Sequence, residues 1–268
     1  MEAAGKIKTP DTPVVLTIAG SDSGGEAGIQ ADLKTFARLR VHGTCAITCV
    51  TAQNPNTVAR VEPCSPRMVR AQMESVAAAF PLSAAKTGML FSALIAREVA
   101  AFFRQAGPVP LVVDPVIIST SGRRLLQVAG VAALKRELLP LAALVTPNVA
   151  EAEMITGKKI TTLEDLRAAA GNIVRTFGCA ALVKGGHLRG TNEAVDFLCG
   201  RDGEWMFSAP RAKARGLHGT GCTYSAAITA WLAHGRALPQ AVKLAKDYIT
   251  RTIFADSRTR LAVPARSS

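Results

Sequence analysis

Short apolar runs rich in valine, isoleucine and alanine alternate with segments of helical periodicity along this 268-residue chain, and each run empties into glycines or polar side chains. Val14–Ala19, Ala46–Thr51, Ala84–Thr87, Leu111–Asp114, Ala142–Thr146 and Ala180–Lys184 read as buried strands. Between them, helical spacing covers about 27–39, where Ile29, Leu33 and Phe36 share a face, and 66–80, where Ser65-Pro66 reads as an N-cap and first helical position. Further helices are expected to about 105 and over 125–138, 149–156, 163–176, 222–235 and 238–253. Residues 194–199 and 204–208 flank Arg201-Asp202-Gly203 and make a hairpin. Such alternation builds an α/β, three-layer αβα sandwich with a mainly parallel central sheet and helices on both faces.

In sheets of this kind the ligand lies beyond the carboxyl ends of the strands. The polar clusters fall there: Gly20–Gly25, Gln53-Asn54, Gly88-Met89, Asp114, Pro147-Asn148 and Lys184-Gly185-Gly186. Their convergence points to an enzyme pocket. No low-complexity linker, internal repeat or break in composition divides the chain. It reads as a single domain over 1–268, with a core of about 14–255 and loose termini.

The excess of 32 Lys and Arg over 20 Asp and Glu gives +12. Nucleic-acid binding is one reading of that charge. The basic residues are scattered without a block and only 5% of residues are aromatic, so a surface attracting anionic metabolites is preferred. Cys45, Cys49, Cys64, Cys179, Cys199 and Cys222 form no C-x-x-C pair. The first thirteen residues carry Glu2, Lys6, Lys8 and Asp11 rather than the apolar stretch of a signal peptide, and the longest uncharged run, 216–235, is too polar to span a membrane. The expected location is a reducing cytoplasm.

The most distinctive stretch is His218-Gly219-Thr220-Gly221-Cys222-Thr223-Tyr224-Ser225-Ala226. Tyr224, Ile228 and Leu232, with Ala227 and Trp231, predict one apolar stripe on the helix that follows. Glycines turn backbone N–H groups toward one point and a helix start adds partial positive charge, which suits a phosphate. Taken alone, the stretch reads first as a glycine-rich turn before an ordinary buried helix.

Familiar alternatives are missing. Gly20–Gly25 has Walker-like spacing but continues with Glu26 rather than Lys-Ser/Thr, and neither G-x-S-x-G, H-E-x-x-H nor a G-x-G-x-x-G after the first strand is present. The ordered blocks 19–24, 27–36, 51–54, 86–90, 113–116, 146–152, 183–188 and 218–223 together resemble the hydroxymethylpyrimidine/phosphomethylpyrimidine kinases of thiamine biosynthesis, in the ribokinase-like superfamily.

The resemblance implies phosphorylation of 4-amino-5-hydroxymethyl-2-methylpyrimidine and then of its monophosphate, with ATP and Mg²⁺, by a homodimer. It places Gly20, Ala27, Asp32, Gln53, Met89 and Val116 around the pyrimidine, with Asp32 and Gln53 meeting its polar groups. Gly219, Thr220, Gly221 and Cys222 would form an anion hole, and Cys222, with its thiol acidified by the helix start, would take the hydroxyl proton. Lys184, Gly186, Asn148 and Asp114 would serve the nucleotide, and Glu151 the metal through water, while His187 is expected to be structural. The chain departs from the family pattern at Glu26, at Thr120-Ser121-Gly122-Arg123 and in lacking a glycine-rich C-terminal segment. A pyridoxal kinase is the nearest rival, with Gln53 and Met89 favouring the pyrimidine. A non-catalytic binding protein is the rival from another class.

Overall fold

The computed structural model describes residues 12–54, 57–119, 122–186, 188, 193–211 and 219–261, with side chains as far as 253. The predicted features at the N-terminus, at His187, His218 and Thr120-Ser121, and in the chain beyond 261 lie outside these residues. Among those described, nine strands form one sheet in the order β3-β2-β1-β4-β5-β6-β7-β8-β9. They are β1 (Val14–Asp22), β2 (His42–Asn54), β3 (Thr57–Pro63), β4 (Leu82–Thr87), β5 (Leu111–Val113), β6 (Leu144–Val145), β7 (Ala180–Lys184), β8 (Glu193–Gly200) and β9 (Gly203–Pro210). β2-β1-β4-β5-β6-β7 pair in parallel, while β3 and the β8–β9 hairpin add antiparallel margins.

The helices are α1 (Gly28–Arg38), α2 (Pro66–Ala79), α3 (Ala93–Gln105), α4 (Val128–Ala133), α5 (Val149–Thr156), α6 (Leu163–Phe177), α7 (Thr220–Ala233) and α8 (Leu238–Leu261). Successive strand residues face opposite sides of a sheet. Val113, Val145 and Val183 accordingly join one core with residues of α3 and α6, while Val112, Leu144 and Leu182 join another with α7 and α8. The expected three-layer sandwich is the observed one.

Local chemistry places the helix starts. Ser65 Oγ caps α2 by accepting from the Met68 N–H at 3.2 Å. Asn148 with Glu151, and Thr162 with Asp165, form capping boxes at the starts of α5 and α6.

Several expectations are corrected. The single helix over 125–138 is broken: α4 ends at Ala133, and a wider turn over Leu134–Leu138 leads into a tight one over Leu139–Leu141 that contains Pro140. Proline there has no N–H to continue the ladder. β3 has no counterpart among the expected strands, since Arg60 and Glu62 interrupt its apolar residues; it pairs with β2 as an exposed arm. α7 has no single stripe, since the unbroken run Tyr224–Ala230 is buried. α8 continues to Leu261, past the expected helix end at about 253.

Candidate active site

At the carboxyl ends of the parallel strands a cleft of about 300 Å³ opens between the loop after β1 and the start of α7. Asp22, at the end of β1, shapes the first wall. Its carboxylate accepts from the backbone N–H of Gly24 at 2.8 Å, Glu26 at 3.1 Å and Ala27 at 2.8 Å, drawing the glycine-rich loop around itself. A Cβ on Gly20 would come within 2.8 Å of Cys49 Sγ, so that position stays bare and its backbone faces the cleft beside Ala27. Gln53 enters from β2, with its backbone fastened to Ser23 by two 2.8 Å hydrogen bonds. Met89 and Val116 complete an apolar side. Val116 holds φ at +41°, an unfavourable region for a β-branched residue.

The opposite wall is the glycine corner at the start of α7. Gly219 has φ of +77°, and a Cβ there would run into the Glu26 carbonyl, so glycine is required twice over. This close approach joins the corner to the β1 loop. Thr220, Gly221 and Cys222 follow at the open end of α7 and line the cleft. The acidified thiol is corrected: burial pushes Cys222 up to about 11, outweighing the lowering pull of the Lys86 ammonium.

A charged floor joins the walls. Asp114 Oδ1 accepts from Lys184 Nζ at 3.3 Å and from Thr146 Oγ1 at 3.4 Å, and Asp114 Oδ2 accepts from Ser225 Oγ at 3.1 Å. Glu151 accepts from the N–H groups of Ile117 at 3.1 Å and Asn148 at 3.0 Å. Burial pushes its carboxyl up to about 7 despite the lowering effect of Lys184. Asn148 and Gly186 border the same space.

Asp32 is the exception among the sequence-predicted site residues. It is fully buried behind the cleft wall, bound to Lys86 Nζ at 2.8 Å and accepting from Thr17 Oγ1 at 2.6 Å, so it does not face a ligand. A lysine from a strand can consume an aspartate that spacing alone would leave aimed at the pocket. Arg123, one of the departures, is likewise spent: its guanidinium donates to the Val58 carbonyl.

Residues that sequence reasoning missed include Lys86 and Lys246, both bordering the cleft. Lys246 donates to Asp196 Oδ2 at 2.6 Å and to the Ala194 carbonyl at 2.9 Å. The available signal was a lysine set among buried apolar positions: Ala84-Ala85-Lys86 in β4, and Ala245-Lys246 on the buried face of α8.

Sheet order, helix layers and a cleft shared by a strand-end loop and a glycine corner define a ribokinase-like phosphotransferase. Within that class the chain belongs to the phosphomethylpyrimidine kinase family, whose model matches residues 22–262. It is 47% identical over 251 residues to a hydroxymethylpyrimidine/phosphomethylpyrimidine kinase of Rhizobium meliloti, covering 93% of this chain and 94% of that protein. The crystal structure of phosphomethylpyrimidine kinase from Clostridium difficile 630 superposes with a TM-score of 0.81 at 42% identity, over 90% of this chain and 100% of that one. An ADP complex of Bacillus subtilis pyridoxal kinase gives 0.83 at 36% identity, over 90% and 91%.

Proposed function

We propose that the protein phosphorylates 4-amino-5-hydroxymethyl-2-methylpyrimidine, and then its monophosphate to the diphosphate, with ATP, in thiamine biosynthesis. The observation that carries this reading is that every sequence-predicted site residue except Asp32 borders one cleft. Gly20, Ala27, Gln53, Met89 and Val116 hold the ring between a polar edge and an apolar wall. The N–H groups of Gly219, Thr220, Gly221 and Cys222 receive the phosphoryl group in transit. Lys184, Gly186, Asn148 and Asp114 serve the ATP phosphates.

In the transfer, the hydroxymethyl oxygen forms a bond to the γ-phosphorus as the bond from that phosphorus to the β-bridging oxygen breaks and ADP leaves. The hydroxyl proton leaves on the transferred phosphoryl oxygens as the new O–P bond forms, because Cys222, held up at about 11, keeps its own proton at neutral pH. Phosphoryl transfer rests on alignment and charge more than on an early base, so Cys222 serves the anion hole rather than as the expected base.

Magnesium fits the donor set present. Glu151 and Asp114 offer carboxylate oxygens to the cleft, hard donors that suit an ion keeping most of its waters. Glu151, whose carboxyl burial holds up at about 7, would hold that ion through water. Bound there, the ion supplies charge neutralisation for the β- and γ-phosphates.

All six cysteines are unpaired, which supports a cytoplasmic location, and we expect the working assembly to be a homodimer. A second reading, pyridoxal phosphorylation, is favoured by the likeness to the Bacillus subtilis enzyme. Product mass after incubation with ATP, Mg²⁺ and the hydroxymethylpyrimidine, run beside pyridoxal, separates the two. Addition of two phosphates to the pyrimidine is the expected result; pyridoxal phosphate alone would overturn it.

A further inference from the structure

Ser225 is a polar residue in the buried run of α7, in the second turn of the helix and closed off from solvent. A serine or threonine inside a helix commonly turns its hydroxyl back onto the helix's own backbone. Thr229, one turn further on, does this, donating to the Ser225 carbonyl at 2.7 Å. Ser225 has a destination off the helix as well: its Oγ stands 3.1 Å from Asp114 Oδ2 and 3.0 Å from the Cys222 carbonyl. A hydroxyl has one proton to give. The carboxylate is the stronger acceptor, and the Cys222 carbonyl already has its place in the helical ladder, so the proton belongs to Asp114. Alanine would satisfy the packing of α7, whose next two buried residues are Ala226 and Ala227, but it would leave Asp114 Oδ2 without this donor.

Asp114 follows β5 and borders the cleft. The Ser225 contact is the shortest of its three side-chain contacts, with Lys184 Nζ at 3.3 Å and Thr146 Oγ1 at 3.4 Å on the other oxygen. Ser225 therefore fixes one edge of the carboxylate and, with it, the direction of the other edge. Among the described residues Asp114 is the one hydrogen-bond partner of Lys184 Nζ. The ammonium in turn sits against the glycine corner, since a Cβ on Gly221 would stand 3.4 Å from it. The contacts close a ring: from Ser225 through Asp114 and Lys184 back to Gly221, one helical turn before Ser225 on the same side of α7.

We propose that Ser225 is a positioning residue for the nucleotide: through Asp114 it sets the Lys184 ammonium over the corner formed by Gly219, Thr220, Gly221 and Cys222. This rests on the reading of that corner and Lys184 as the place of the ATP phosphates. Ser225 touches no ligand and exchanges no proton with one; it keeps a mobile lysine at a fixed place relative to the N–H groups of its own helix.

The test uses the full-length protein and two variants, Ser225→Ala and Ser225→Cys, the second keeping the side-chain volume with only a weak donor. Dissociation constants for ATP with Mg²⁺ and for the hydroxymethylpyrimidine are read by titration calorimetry, beside kcat and the denaturation midpoint. Both variants should bind ATP about tenfold more weakly, the size of effect expected for a lost hydrogen bond to a charged group, with kcat reduced and pyrimidine affinity unchanged. A role in packing alone predicts that Ser225→Cys behaves as wild type, or that both ligands weaken together with the midpoint. Either result would overturn the proposal, as would wild-type ATP affinity in Ser225→Ala. Should Ser225→Ala not fold, Ser225→Cys is read by the same criteria. A wild type that binds ATP but adds no phosphate to the pyrimidine ends the functional reading alone, and the comparison of ATP affinities still decides the role of Ser225.

Discussion

Glu151 shows how one side chain can serve fold and chemistry at once. Its carboxylate completes the cap of α5 and holds the Ile117 N–H, yet it borders the cleft. The folded protein holds this proton up to about pH 7, against 4.5 for the ordinary carboxyl. Between those values the folded state binds more protons than the unfolded one, so stability falls as pH rises through the window. Relative to wild type, Glu151→Gln should therefore gain stability from pH 4.5 to 7, on the order of 2–4 kcal/mol in total. Urea denaturation in the presence of a chelator at pH 5 and pH 8 reads it; equal differences at both would remove the assignment. At this scale the sequence identifies residue type better than direction. Gln53 and Met89 reach the cleft because one lies at, and the other just past, the carboxyl end of its strand. Asp32 sits one helical turn inside α1, and whether it met a ligand or a lysine depended on β4, more than fifty residues away.

Elements carry the next set of constraints. α7 begins on a left-handed glycine packed against the Glu26 carbonyl, whereas α6 begins on an ordinary Thr162 cap remote from the cleft. Gly219→Ala should combine roughly 1–2 kcal/mol of backbone strain with displacement of the corner, cutting turnover at least tenfold. Thr162→Ala should cost about 1 kcal/mol and leave kcat unchanged. Denaturant midpoints with parallel turnover measurements separate the two, and similar kinetic behaviour would refute the contrast. Helix starts of the Ser65, Asn148 and Thr162 kind are legible because the cap is a local hydrogen bond. β3 and the break after Ala133 were not. The first owes its shape to β2 alongside, and the second begins at Leu134, too far ahead of Pro140 for the missing N–H to mark it. The single stripe expected on α7 failed for a similar reason: α1 and α8 flank it while the sheet lies beneath, so polar Ser225 and Thr229 are buried with the rest.

For the whole molecule, the described residues form one continuous sheet with a helix layer on each face, which favours unfolding as one unit. A single cooperative thermal transition is expected. Ligand at a hundredfold excess over its dissociation constant should add about 2.7 kcal/mol, a shift of very roughly 5–10 °C for a domain approaching this size. Calorimetry with and without ATP, Mg²⁺ and the pyrimidine checks this; two resolved transitions would contradict the single-domain reading. Fold class was legible because strand–helix alternation is a pattern of the entire chain. The pairing of Asp32 with Lys86, and of Asp196 with Lys246, was not, since each joins segments that the order of residues keeps apart.

The burial of α7 over Tyr224–Ala230 has a kinetic meaning. The donors proposed to meet the travelling phosphate start a helix anchored by the same contacts that hold the interior together. Their alignment is achieved once, when the chain folds, and each catalytic cycle inherits it without rearrangement.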